Sequence, residues 1–322
     1  MKKMLIQRLI QMVILLFLVS IICFTIIQLA PGDISNMYIR EGMSAAQKAS
    51  IKHMLGVDRN PVEQYTSWLK ETLSGNLGVS LSNFQPVSTQ ILTRLPATVL
   101  LMGTSLIISL LIAIPLGLLA GYRSGSRTDQ IISGFTCVGM SVPSFWLGIV
   151  FVVIFSVNLR LFPTNGMHST GVESVFDVIW HLVLPVITLS IGNVASFTQY
   201  IRSSVIDELE EDYVLTARSK GTSEKRILTG HVLKNSLLPV ITLVGMSLSS
   251  LVGGSVVIES LFGWPGLGTL ALAAIRVRDY PMIMAFTLIT CAALVIGNFI
   301  ADILYMIVDP RIRQGMKRNY ER

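Results

Sequence analysis

The ionisable residues of this 322-residue chain are few, and they crowd into one polar connection at residues 201–236. Asp207, Glu208, Glu210, Glu211 and Asp212 come first, and Arg218, Lys220, Lys225, Arg226 and Lys234 follow, with Arg202 and Glu224 at either side of that order. Acids ahead of bases suit a helix dipole running in the chain direction. Catalysis is not what this set points to. A phosphate-binding loop needs G-x-x-x-x-G-K-[ST], so that backbone amides and a lysine wrap the phosphates, and no Gly-Lys pair occurs anywhere. A two-histidine helix motif and a serine-nucleophile elbow are also missing. Cys23, Cys137 and Cys291 each fall in an apolar run, odd in number and outside any metal-ligand spacing, so they read as small buried hydrophobes. Four scattered histidines form no cluster. The expectation is a non-enzyme with no catalytic, metal or cofactor residues of its own.

Those charges must be positioned by membrane elements. Charged residues are 14% of the chain and hydrophobic ones 52%, with a mean hydropathy of +0.65, whereas a soluble domain carries about a quarter charged residues. The net charge of +6 is therefore not a nucleic-acid footprint. A crossing helix needs about 20 apolar residues. Six runs satisfy this: Leu9 to Leu29, Ala97 to Tyr122, Ile131 to Leu159, Val178 to Tyr200, Leu237 to Ile258 and Met282 to Val308. The first has the basic start of a secretory signal, but it is too long for one and lacks a cleavage site, so it reads as a retained helix. Four segments follow: 1–30 with the first helix, a mixed polar lobe at 31–96, a core at 97–308, and a tail at 309–322. Helical patterning within the lobe covers Ala45 to Leu55 and Val62 to Leu73. With both termini inside, sixteen of the 25 Lys and Arg residues lie in inner segments and three in short outer loops. This bias sets the expected topology and makes 201–236 cytoplasmic, with the 31–96 lobe outside.

Within 201–236, no Gly or Pro interrupts Asp212 to Ser219, and Thr222 or Ser223 can cap a second helix carrying Glu224 to Leu233. Tyr213, Ala217 and Gly221 recur every four residues and so share one helical face. That face suits the close approach of another protein. Spacing alone equally allows an amphipathic helix lying at the lipid headgroups.

A longer pattern discriminates. Tyr213 to Gly221 reads Y-V-L-T-A-R-S-K-G and His231 to Pro239 reads H-V-L-K-N-S-L-L-P. Together they resemble the cytoplasmic loop of ABC importer permeases of the dipeptide/oligopeptide/nickel group, typically Y-x-x-T-A-R-A-K-G and H-x-L-x-N-x-L-L-P. Ser219 replaces one alanine. The general superfamily pattern, E-A-A-x-x-x-G with a later I-x-L-P, is met strictly only at Ala217 and Gly221. Further stretches resemble the group's signatures along almost the whole chain: Ala30 to Asp33, Gly75 to Ser80, Arg94 to Thr98, Ser141 to Gly148, Phe262 to Gly268 and Asp309 to Arg313.

The resemblance implies an all-α integral membrane protein with six transmembrane helices and the type I ABC importer permease fold, in a bacterial cytoplasmic membrane. It implies a second homologous permease subunit, two cytoplasmic ATPase subunits that hold ATP and magnesium, and an external substrate-binding protein. Peptides are the first expectation for substrate, with nickel or a metal chelate as the alternative. The loop would supply a coupling helix seated in an ATPase cleft, with Tyr213, Ala217, Lys220 and Gly221 central and Arg218, Glu224 and Arg226 at its rim. Ser141, Ser144, Asn193, Ser196 and Gln199 are the pathway candidates, although small polar groups also join helices without lining anything. Trp264, Pro265 and Gly266 suit an outer gate, a contact with the binding protein, or a plain turn. Asp302 stands out as an acid inside an apolar span, with a helix-end role favoured, and His181 is expected at the interface. A membrane-embedded enzyme would need clustered His, Asp or Cys. An ion-coupled secondary transporter remains the rival of a different class, but it calls for buried acidic pairs and repeated halves.

Overall fold

The computed structural model describes residues 2–29, 35, 38–39, 42–56, 58–172 and 174–308; side chains at 2–9, 54–55, 248–250, 302 and 304–308 lie outside that description, as do Ala30 to Asp33 and the tail from Asp309. The described residues are helical almost throughout, in the order α1 (Lys2–Leu29), α2 (Ala45–Leu55), α3 (Pro61–Leu73), α4 (Val87–Tyr122), α5 (Arg127–Ser141), α6 (Ser144–Phe151), α7 (Val175–Leu209), α8 (Asp212–Ser219), α9 (Glu224–Ile227), α10 (Leu233–Ser236), α11 (Leu238–Gly253), α12 (Val256–Leu261), α13 (Leu267–Val277) and α14 (Tyr280–Val308). Two π-helical stretches, Val152–Asn158 and Leu228–Val232, extend α6 and join α9 to α10.

Among the described residues, five helices are long and apolar enough to cross a membrane, and the pair α5 and α6 raises this to six if counted as one broken span. The third expected span is thus not a single rod. Its two halves meet at 94°, because Pro143 lacks the N–H that would continue α5 and pushes Val142 into an extended conformation. The fifth span also breaks, at Gly254–Ser255, where Gly254 takes φ +68°. The second helix starts at Val87 rather than Ala97, since Val87 and Ile91 bury themselves against Leu267, Ala274 and Met282. α2 and α3 follow the expected patterning, each with a side-chain cap, Ser44 and Asn60 respectively.

α4 and α7 form the most extensive helix pair. Gly117 and Gly121 permit it: a Cβ at either would stand 2.6 Å from the Cβ of Ile201 or Val205 on α7. Across α5, Arg202 donates twice to Asp129, Nε to Oδ1 at 2.5 Å and Nη2 to Oδ2 at 2.8 Å. A second carboxylate, Asp279, caps α14 and accepts from Ser80, Ser82 and the amide of Leu81. This fastens the turn after Gly75 to the start of the last helix.

Candidate functional site

The 201–236 connection is fixed to the helical core from below. Val214, Ile227 and Val232 are fully buried and pack with Ala113 of α4 and Ile201 and Val205 of α7. Tyr213 and Ala217 lie on this same inward side. The Tyr213 hydroxyl donates to Glu208 Oε2 at 2.5 Å, and the Asn235 amide donates to both oxygens at 3.1 and 3.3 Å. Burial, reinforced by the bond to Glu208, pushes the phenol up to about 12. The expected shared face of Tyr213, Ala217 and Gly221 is therefore corrected in two ways. Its first two members look into the chain, and Gly221 lies beyond the helix end at Ser219, at φ +74° with its N–H on the Arg218 carbonyl.

What α8 turns outward is Leu215, 65% exposed, with Thr216, Ser219 and Lys220 around it. Arg218 and Glu224 form a bidentate pair at 2.9 and 3.3 Å that holds α8 against α9, while Arg226 is exposed on α9. Sequence reasoning missed Leu215. No sequence signal separates it from Val214, because neighbouring positions stand about 100° apart on a helix and either could face inward.

Between α4, α6, α7 and α11 lies a cavity of about 390 Å³. Ser144 and Asn193 line it together with Thr188, Ser247 and Ser255. The other pathway candidates do not reach it. Ser141 donates to the Cys137 carbonyl on its own helix, Gln199 donates to Thr136 across the α5–α7 seam, and Ser196 is not among the lining residues.

One wall of this cavity, Gly254 and Ser255, belongs to a hairpin built around a carboxylate that sequence reasoning passed over. Glu259 is fully buried on α12. It accepts from the Thr98 hydroxyl at 2.9 Å and from the amides of Thr269 and Gly268. Thr98 in turn accepts from the Leu267 amide at 2.7 Å. The first three N–H groups of α13 are thus satisfied by Glu259 and Thr98, a cap supplied from other helices. Trp264, also fully buried, donates its indole N–H to the Ala97 carbonyl at 2.8 Å. Trp264 and Gly266 are therefore interior, and the Phe262 to Gly268 stretch is a packed turn instead of an open surface. Pro265 is half-buried beside them. His181 is buried within the protein, its Nδ1 bonded to the Asp177 carbonyl at 2.8 Å. Asp302 lies on α14, with its side chain outside the described residues.

Known proteins share both the sequence and the fold. The chain is 42% identical over 309 residues to the oligopeptide transport system permease protein AppB of Bacillus subtilis, covering 95% of this chain and 98% of that one. It is 39% identical to a putative peptide permease protein of Brucella ovis, covering 93% and 95% respectively. A probable peptide ABC transporter permease of Sinorhizobium fredii is 33% identical, with coverage of 95% and 98%. An inward-facing structure of the MetNI methionine ABC transporter superposes with a TM-score of 0.55 at 16% identity, covering 69% of this chain and 97% of that one. That likeness shows the helical arrangement of a type I ABC importer permease. Residues 1–102 match the N-terminal family model of binding-protein-dependent transport system membrane components, and residues 113–314 match the inner membrane component itself. The chain belongs to the family of inner-membrane components of binding-protein-dependent transport systems.

Proposed function

We propose that the chain forms half of an ATP-driven import pathway for peptides and is driven through α8. The substrate follows from its relatives, which are named as peptide or oligopeptide permeases. The cavity lining is in keeping with this, offering hydroxyls and an amide in place of the imidazole or thiolate that a bare metal ion would need. The other half of the pathway comes from a second, homologous permease subunit. Two ATPase subunits on the cytoplasmic side hold ATP and magnesium and perform the hydrolysis. An external binding protein delivers the peptide, and both termini of this chain face the cytoplasm. The chain holds no cofactor.

The observation that carries this reading is the construction of α8. It presents an exposed leucine to a partner while its underside is locked onto the two most extensively packed helices, α4 and α7. A cleft closing on Leu215 moves α4 and α7 with it, which biases the pathway between inward- and outward-facing states. Lys220 and Gly221 border the contact, Arg218 and Glu224 keep its shape, and Arg226 lies at its rim. Tyr213 and Ala217 seat the helix without touching the partner.

The test is Leu215→Asp in the complete transporter, reconstituted with its ATPases and binding protein. A buried apolar anchor replaced by a charge costs about 2 kcal/mol or more at such contacts. Peptide uptake should fall at least tenfold while the subunit still inserts. Uptake at the wild-type rate would refute the docking role.

A further inference from the structure

Much of the hydrogen-bonding capacity around the cavity is already spent. Thr188 donates to the Leu184 carbonyl and Ser247 to the Leu243 carbonyl, both at 2.7 Å, and Ser255 caps α12 at the Ile258 amide. Asn193 is different. Its carboxamide lines the cavity, half-buried, and makes no hydrogen bond among the described residues. An amide that joins helices bonds across a seam, as Gln199 does to Thr136, and Asn193 does not. Ser144, at the start of α6, is exposed to the same cavity and its hydroxyl is likewise unbonded. No Lys, Arg, His, Asp or Glu is among the described lining residues. The backbone beside Asn193 is bare. A glycine inside a helix weakens it, and Gly117 offsets that by admitting Ile201 within 2.6 Å of a would-be Cβ. At Gly192 a Cβ would meet nothing within 4 Å. What this glycine admits is the cavity itself, which it lines.

An asparagine carboxamide offers one carbonyl oxygen and two N–H donors. In an extended chain the N–H and C=O of one residue point to the same side, which is how opposed residues of antiparallel strands exchange two hydrogen bonds. A carboxamide meets that pair at once, its oxygen accepting from the N–H and its nitrogen donating to the carbonyl. We infer that Asn193 holds the main chain of the cargo during passage. An extended peptide lies against the bare backbone at Gly192 and bonds Asn193 through the N–H and C=O of one residue, with the Ser144 hydroxyl free to donate to a further carbonyl. The group recognised is the secondary amide that every peptide carries, whatever its side chains. This rests on the proposal that the cavity carries peptides, and it adds which atoms of the peptide are read.

The experiment uses proteoliposomes with the complete transporter and its binding protein preloaded with trialanine or with either of two depsipeptides, in which lactic acid replaces the second or the third alanine. Each turns one amide N–H into an ester oxygen with little change of shape, and between them they cover both amide N–H groups. The deciding quantity is the ratio of trialanine to depsipeptide passage, compared between wild type and Asn193→Leu, because any preference of the binding protein is common to both. For at least one depsipeptide the wild-type ratio should exceed the Asn193→Leu ratio about fivefold, the worth of one neutral hydrogen bond. Asn193→Asp keeps an oxygen to accept the N–H and should retain the wild-type ratio, even where its rates fall. Equal ratios in wild type and Asn193→Leu for both depsipeptides would overturn the inference, since an amide that only supports the fold slows every cargo alike. Loss of the ratio in Asn193→Asp would overturn it too. Should Asn193→Leu fail to insert, Asn193→Ala takes its place with the same expectations. Failure of wild type to pass trialanine at all would instead refute the peptide reading of the cavity.

Discussion

Tyr213 shows how a single side chain ties a connection to a span. Its hydroxyl joins Glu208, at the end of α7, to Asn235 on α10, so both ends of the loop meet at one oxygen. The folded state holds the phenol protonated up to about 12 against an ordinary value of 10. The stabilisation is therefore complete below pH 10 and is lost as pH rises from 10 toward 12, where the unfolded chain ionises first. Tyr213→Phe should abolish this alkaline step, read as the pH dependence of thermal unfolding in detergent; a step of undiminished size would place its origin elsewhere. Asp129 makes a second residue-scale case. It is 3% exposed and takes both guanidinium bonds of Arg202, with further bonds from Gly125 and Ser133. Asp129→Asn leaves the Arg202 cation without its countercharge and should cost about 3–5 kcal/mol, seen as a fall in melting temperature. The types of these residues were plain in the sequence, but their pairing was not. Asp129 and Arg202 are 73 positions apart, and only the crossing of α5 over α7 brings them together.

At the level of elements, the close crossing of α4 on α7 gives the sharpest expectation. Gly117→Val would drive two methyl groups into Ile201, whose Cβ stands 2.6 Å from any Cβ at that position. The helices must part, at a cost of about 1–3 kcal/mol or more. A melting temperature unchanged in Gly117→Val would mean that the seam yields without penalty. Gly221→Trp tests a different element: no atom lies within 4 Å of a Cβ there, so the cost within the chain is the backbone strain of a side chain at φ +74°, while a seated partner would also meet the ring. We expect insertion to be normal and uptake to be lost, with ATP hydrolysis uncoupled. Apolar runs revealed the long helices because a membrane span leaves an unmistakable length of hydrophobic sequence. They did not reveal where helices break. Pro143 fell inside a run whose hydropathy does not change across it, and the 94° turn comes from backbone sterics that hydropathy does not measure. Likewise Glu259 stands one residue past the fifth run, and hydropathy does not show that Thr98 of α4 and the start of α13 close over it.

For the whole molecule, the basic-residue bias makes a prediction about sides. With the three native cysteines replaced, a cysteine at Ser124, in the turn between α4 and α5, should resist a membrane-impermeant maleimide added to intact cells. One at Thr170, between α6 and α7, should react. Both positions are exposed in the fold, so protection reports the membrane and not the protein; the reverse pattern would invert the topology. The family was legible in short local patterns spread along the chain, since those depend on neighbouring residues only. The cavity was less so, because its wall is assembled from four helices and hydroxyl-bearing residues look alike in sequence whether they line a space or bond to their own backbone. Ser144 and Ser141 differ in this way, three positions apart.

The collar around Glu259 carries a lesson about mutational freedom. A Cβ at Gly254 or Gly266 would overlap the carboxylate, and one at Gly268 would stand 2.9 Å from both the carboxylate and the Val256 backbone, so three positions spread over fifteen residues are constrained at one side chain. Their tolerances are not independent quantities. In a combinatorial library, alanine at Gly266 should lower uptake beside Glu259 and be partly rescued beside Glu259→Asp, whose shorter side chain withdraws from the collar. The stretch from 254 to 268 then behaves as a single inherited unit, in which a step at one site is open only after a step at another.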